Sequence, residues 1–276
     1  MDDRTVAGTA ATREFYDREG WKRADGKLKD QALFGVKNDG PIRVELHQLR
    51  CDRIREALGG PGLKLMECGC GGSPATYLGD LASHLTVVDF SQTGLTEAAQ
   101  TLRQSGVEFD TVAADMCHLP FDNESFDAAF SAHAIYHIDS AAAQAKAFSE
   151  IMRVVRKGGS GVFVLANPYP LMFPLRFARR TLASVPGVSA LLNRVRSKPP
   201  LPYLPMRLGW MRRQLQPWGT VRIIGYRMAS TAMNQNVPET SGVGRQLWRL
   251  MRWVETRYPR AAARLGNYVT IIVRKH

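Results

Sequence analysis

The run Leu63-Lys-Leu-Met-Glu67 passes directly into Cys68-Gly69-Cys70-Gly71-Gly72-Ser73-Pro74, and no other stretch of the chain restricts the fold so much. An apolar strand that ends in a glycine-rich turn has a specific use. Glycine admits positive φ and lets a ligand come close to the backbone. Ser73 and Pro74 suit the cap and the first position of a helix, so the turn is expected to feed a helix over roughly 74–82. Strand, turn and helix in that order belong to an open α/β sheet, in which ligands lie beyond the carboxyl ends of the strands. Taken alone, a Gly-x-Gly turn is a weak signal, compatible also with a tight turn that binds nothing.

The rest of the chain repeats the rhythm. Short apolar or β-branched runs at 63–68, 85–89, 109–114, 126–132, 161–166, 221–226 and 268–273 read as strands, and helical stretches at about 93–104 and 141–155 fall between them. The expected fold is α/β: a Rossmann-like, doubly wound, mostly parallel seven-stranded sheet with helical insertions after the fifth and sixth strands. A helix over 40–58, stopped by Gly59-Gly60-Pro61-Gly62, precedes the sheet. Residues 1–39 are largely polar and irregular, with Phe15, Tyr16 and Trp21 close together, and read as an N-terminal cover; residues 40–276 form the main domain. Two basic insertions, 168–217 and 228–266, are expected to form an acceptor cap, the second with an amphipathic helix bearing Leu247, Leu250, Met251, Val254 and Tyr258 on one face.

Two acids sharpen the glycine turn into a nucleoside site. Asp89 closes Leu85-Thr-Val-Val-Asp89, twenty residues after Gly69, where a carboxylate can accept hydrogen bonds from both ribose hydroxyls. Dinucleotide enzymes share that feature, but Gly71-Gly72-Ser73-Pro74 lacks the third glycine of a pyrophosphate site. Asp115 ends the third strand and is followed by Met116, a pairing suited to adenine: carboxylate to the exocyclic amine, thioether against the ring. A nucleoside methyl donor fits better than a dinucleotide.

The ordered set Glu67-x-Gly69-x-Gly71, Val88-Asp89, Ala114-Asp115-Met116, Leu119-Pro120-Phe121 with Phe126-Asp127, and Arg153-Val-Val-Arg-Lys-Gly158-Gly159 resembles the small-molecule branch of class I S-adenosylmethionine-dependent methyltransferases, the type 11-like group, over about 63–166. The resemblance implies S-adenosyl-L-methionine as cofactor, with Gly69 and Gly71 approaching it, Glu67 near its amino-acid part, Asp89 on the ribose and Asp115 with Met116 on the adenine. Tyr16, Phe90 and Ala132 are carried over as further cofactor contacts, Tyr16 closing from the cover with Trp21 beside it. Ser73 stands where the family usually has its last glycine. Glu14-Phe-Tyr-Asp17 with Gly20-Trp21, and Ile135-Tyr-His-Ile138, resemble a bacterial subset of the same family.

Methyl transfer from a sulfonium is an in-line displacement that depends mainly on orientation and exclusion of water. A base is needed for a hydroxyl acceptor and largely dispensable for a carboxylate, a thiolate or a neutral amine. His137 and His133, after the fourth strand, are the candidate catalytic residues. The expected reaction moves a methyl group to oxygen or nitrogen of a small-molecule or lipid-linked acceptor. Other motifs carry less. Asn167-Pro-Tyr-Pro170 follows the fifth strand, not the fourth as in enzymes that methylate bases of nucleic acids. Cys68-x-Cys70 has no second pair, so no metal is expected, and Cys117 reads as packing.

Charge divides the chain. Residues 151–276 hold 22 Lys/Arg against Glu239 and Glu255, so that portion is +20 and the first 150 residues are −8 within a total of +12. Arginines interleave with large apolar residues at 172–180, 191–196, 207–213 and 245–253. Such mixtures suit an anionic acceptor or an anionic membrane surface, as well as a solvated cationic face. Nucleic acid is the disfavoured partner, and an RNA methyltransferase or a non-catalytic cofactor-binding protein are the competing readings. No secretory signal is legible at the N-terminus and the four cysteines form no disulfide pattern, so a cytoplasmic location, peripheral to the inner face of the membrane, is expected.

Overall fold

Strands form where the sequence supplies runs that bury on both faces, the pattern of a parallel sheet covered by helices. The computed structural model of the protein describes residues 14–21, 23–24, 27–28, 40–170 and 203–276. Its main sheet comprises β1 (Leu63–Cys68), β2 (Ala82–Asp89), β3 (Phe109–Ala113), β4 (Phe126–Ala132), β5 (Val155–Ala166), β6 (Gly219–Arg227) and β7 (Tyr268–Lys275). The strand order is β3-β2-β1-β4-β5-β7-β6. All neighbours are parallel except β7, which is antiparallel to both β5 and β6. The order reverses between β1 and β4, and β6 points the same way as β5. The carboxyl ends of β1, β2, β4, β5 and β6 therefore share one edge with the start of β7.

Alternation along β1 shows how the core is divided. Met66 and Cys68 join Phe148, Ile151, Met211 and Leu215 on one face, whereas Leu65 joins Ile54, Leu85, Leu95 and Phe130 on the other. Each such side chain, fully withdrawn from water, contributes about 1.5–3 kcal/mol. Helices α1 (Pro41–Leu58) and α2 (Gln92–Ser105) cover the second face, and α3 (Ala141–Val154) and α4 (Leu208–Leu215) the first. Ser91 and Ser140 cap α2 and α3 by accepting from Gly94 N and Ala143 N. Between β6 and β7 lie α5 (Thr231–Asn236), α6 (Gly242–Arg257) and α7 (Pro259–Leu265).

Two expectations need correction. The helix anticipated over 74–82 is a 3-10 segment, Thr76–Leu81, and Ser73 does not cap it. Ala75 N donates instead to the Glu67 carboxylate at 2.9 Å, which holds the chain in a turn where a helix would have begun. The buried face of α6 is Gly244, Trp248, Met251 and Glu255, while Leu250 and Tyr258 are exposed. Segments 172–180 and 191–196 lie outside the described residues. Among the described residues no helix is long and apolar enough to cross a membrane.

Candidate functional site

The glycine turn hangs from the end of β2. Gly69 N donates to Val88 O at 2.7 Å, and Gly71 N donates to Asp89 Oδ2 at 2.8 Å. Asp89 Oδ1 accepts from Ser91 N at 2.9 Å, so one buried carboxylate fixes both the turn and the start of α2. Gly69 and Gly71 have φ of +77° and +52°, where a side chain would be strained. Space is closed too: a Cβ on Gly69 would sit 2.4 Å from Ala134 Cβ, and one on Gly71 2.1 Å from the Trp21 indole.

Glu67 lies under this turn, 4% exposed, and among the described residues no lysine or arginine pairs with it. Burial pushes its carboxyl up to about 7; the Ala75 N–H opposes the shift and the charge of Asp89 adds to it. A buried acid without a counter-charge suits a ligand that brings an ammonium group. Asp115 is exposed beyond β3, its Oδ1 accepting from Cys117 N at 2.8 Å, and Met116 is buried with its methyl group against Gly69. The donor set thus fits the cofactor inferred from the sequence: a carboxylate for an ammonium, one for a ribose, one for an adenine amine, and a glycine cradle between.

Aromatic contacts join this half of the site to the histidines. Tyr16 stacks on Trp21 with ring centres 4.9 Å apart and meets Phe90 and His137 edge-on at 6.5 and 6.4 Å. Trp21 is buried against Gly71, Gly72 and Gly94. Ala132 is half-buried at the end of β4. His137 closes the short helix Ile135–His137 with its ring 4.7 Å from that of Tyr136.

His133 occupies a different environment. It follows β4 with φ of +59°, uncommon for a residue with a side chain, and its N–H donates to Val164 O at 2.9 Å. Its Nδ1 is 3.1 Å from the Tyr136 hydroxyl. Desolvation, then the charges of Arg227 and His137, lowers its pKa to about 3, so the ring is neutral near pH 7. Tyr226, Arg227, Thr231 and Tyr268 complete this second cluster, and sequence reasoning missed all four. Only one signal was available: Tyr226-Arg227 ends a strand at the ligand-binding edge.

The remaining candidates pack. Cys117 is buried, its thiol pushed up to about 12 by desolvation and then by Asp115, with Sγ donating to Ala143 O at 3.3 Å. The four cysteines are free.

Residues 66–163 match the family described as "Methyltransferase domain". The uncharacterized methyltransferase YodH of Bacillus subtilis is 31% identical over 147 residues, 52% of this chain and 60% of that one. The phthiotriol/phenolphthiotriol dimycocerosates methyltransferase of Mycobacterium tuberculosis is 30% identical over 127 residues, 44% of each chain. The chain therefore spans less than two thirds of the length of these relatives. Among solved structures, a geranyl diphosphate C-methyltransferase from Streptomyces coelicolor, in complex with Mg2+, geranyl diphosphate and S-adenosyl-L-homocysteine, is similar over 97% of both chains, with a TM-score of 0.57 and 14% identity. At that identity the likeness is one of fold.

Proposed function

We propose that the chain, whose residues 66–163 match a methyltransferase domain family, transfers a methyl group from S-adenosylmethionine to an oxygen or nitrogen atom of a small-molecule or lipid-linked acceptor, releasing S-adenosylhomocysteine. The observation that carries this reading is the convergence of Glu67, Asp89 and Asp115-Met116 on the Gly69–Gly71 turn. When bound, the cofactor supplies an electrophilic methyl group on a sulfonium. Glu67 holds its ammonium end, Asp89 its ribose and Asp115 its adenine, with Phe90, Ala132 and Tyr16 lining the nucleoside. The relative named for phthiotriol and phenolphthiotriol dimycocerosates supports an acceptor with an extended apolar body.

Tyr16 and Trp21 form the cover that excludes water, since Trp21 seats on the turn and Tyr16 bridges Phe90 to His137. His137 removes the acceptor proton. His133 is the weaker base, because a group that holds a proton only below about pH 3 has little driving force to take one at neutrality. The helices between β5 and β6 and between β6 and β7 are insertions that cap the acceptor. The exposed face of α6 rests on an anionic membrane surface at the inner side of the membrane.

Incubation with labelled methyl donor and fractionated metabolite and lipid extracts tests the reaction. Label is expected in a small or lipid fraction; label confined to RNA would replace this reading with the nucleic-acid one. His137→Ala is expected to lose about 10²–10⁴-fold in turnover while retaining affinity for S-adenosylmethionine. Unchanged turnover removes His137 as the base.

A further inference from the structure

We propose that Arg227 anchors an anion-binding subsite for the acceptor, taking a carboxylate or phosphate carried on an apolar body beside His133, Tyr136 and Tyr268. The role of that anion as methyl acceptor rests on the reading above; its binding does not. Arg227 ends β6 and is 4% exposed. The register of β6 on β7 slips between Gly225 and Arg227, and such bulges re-aim a side chain at the margin of a site. The direction of β6 puts this residue on the same edge as Asp89 and Ala132.

The guanidinium is under-satisfied where it lies. Nη2 donates to Thr231 Oγ1 at 3.0 Å and the group lies 4.3 Å over the Tyr268 ring, but Nε is buried without a partner. Among the described residues no carboxylate pairs with it. Of the other buried arginines, Arg43 shares the unpartnered Nε, but both have more of their donors engaged. Arg50 is paired with Glu255 at 3.0 Å, and Arg43 donates to both Asn234 O and Asn234 Oδ1 at 2.7 and 2.8 Å. A buried charge left uncompensated is costly, so its retention points to a ligand that compensates it.

Its neighbours define what that ligand is. His133 is held in a left-handed backbone conformation with its ring edge-on to Tyr268 at 5.2 Å and Tyr226 at 5.8 Å. Strain of this kind persists where surrounding structure imposes it, and it concentrates at ligand sites. The imidazole is neutral near pH 7, so the charge that Arg227 brings to the cluster is positive and selects an anion. A guanidinium presents paired donors that match carboxylate or phosphate oxygens. The tyrosine rings suit an apolar or planar body behind the anionic group.

Binding of octanoate, octyl phosphate and octanol to protein loaded with S-adenosylhomocysteine tests this by calorimetry. Wild type should bind one of the two anions at least about tenfold more tightly than octanol, and which anion wins distinguishes a carboxylate from a phosphate acceptor. Arg227→Met should abolish that preference and melt no lower than wild type, because the variant no longer buries an unpaired charge. Arg227→Lys, which keeps the charge but loses the fork, should weaken anion binding several-fold with the fold intact. Absence of a preference in wild type, or its survival in Arg227→Met, overturns the proposal; so does undiminished binding by Arg227→Lys. S-adenosylhomocysteine affinity, measured first on the same protein, separates failure of this subsite from failure of the cofactor reading.

Discussion

Glu67 is an acid whose surroundings oppose its charge, and that conflict is measurable. Its carboxyl lies at about 7 in the fold and at 4.5 as an ordinary glutamate. Between those values the folded protein keeps a proton that the unfolded chain releases, so the contribution to stability is full below pH 4.5 and is lost as pH rises through 7. The loss is at most about 3 kcal/mol. Urea midpoints of the cofactor-free protein at pH 5 and pH 8 should show the decline, and Glu67→Gln should flatten it; an equal decline in the variant would assign it elsewhere. An ammonium placed beside Glu67 restores the charged form. S-adenosylmethionine binding near pH 6.5 should therefore release a proton, visible as a heat that depends on the ionisation enthalpy of the buffer. His133 acts on the other side of the profile. Its lowered pKa makes stability fall as pH drops below about 6.5, where the unfolded histidine takes up a proton that the folded one refuses.

At the scale of elements, the two acids of the basic portion both secure α1. This helix begins after Gly40 without a side-chain cap of its own, and its first N–H groups, from Ile42 and Arg43, donate to the Glu239 carboxylate at 3.1 and 2.9 Å. Glu255 accepts from Arg50 of the same helix and from Met228 N at 2.8 Å. Glu239→Ala should cost about 1–2 kcal/mol, a lost cap. Glu255→Ala should cost about 3–5 kcal/mol because it strands a buried arginine. Denaturant titrations check the order, and equal or negligible costs would show that α1 is held by its apolar face alone. These contacts also mark what was legible beforehand. The sheet strands were, because β-branched runs announce themselves locally, and so was the position of Asp89 at the end of one, whereas Asp115 lies two residues beyond β3. The helix over 74–82 was misread because a carboxylate eight residues back captures Ala75 N–H and decides the turn. The burial face of α6 was misjudged because it is set by Glu255 reaching Arg50, 205 residues away. Arg227 went unnoticed because nothing local tells an unpaired buried arginine from a solvated one.

For the whole molecule, the division of charge acquires a surface. Among residues 203–276 the acids are Glu239 and Glu255, 3% and 0% exposed, so this portion shows solvent arginines and no side-chain carboxylate. Across the same face of α6 and the turn after it, Val243, Leu250, Trp253 and Tyr258 are about half exposed or more, and Trp253 meets Tyr258 at 5.2 Å. Arg245, Arg249 and Arg257 flank them. Cations beside an exposed aromatic and aliphatic stripe suit the headgroup level of an anionic bilayer, where the apolar groups enter and the arginines stay with the phosphates. An acceptor with a lipid body would then reach the carboxyl edge of the sheet without crossing water. In flotation with phosphatidylglycerol vesicles at low ionic strength the protein should rise with the lipid. It should be largely released at about 1 M salt, where the screening length falls to roughly 3 Å. Replacing Leu250 and Trp253 together by serine should reduce flotation several-fold without lowering affinity for S-adenosylhomocysteine. A cationic face that served RNA would instead bind random RNA with a steep salt dependence and ignore the loss of Trp253. Failure to rise with anionic vesicles at low salt would leave α6 a solvated face and the acceptor one that arrives from solution.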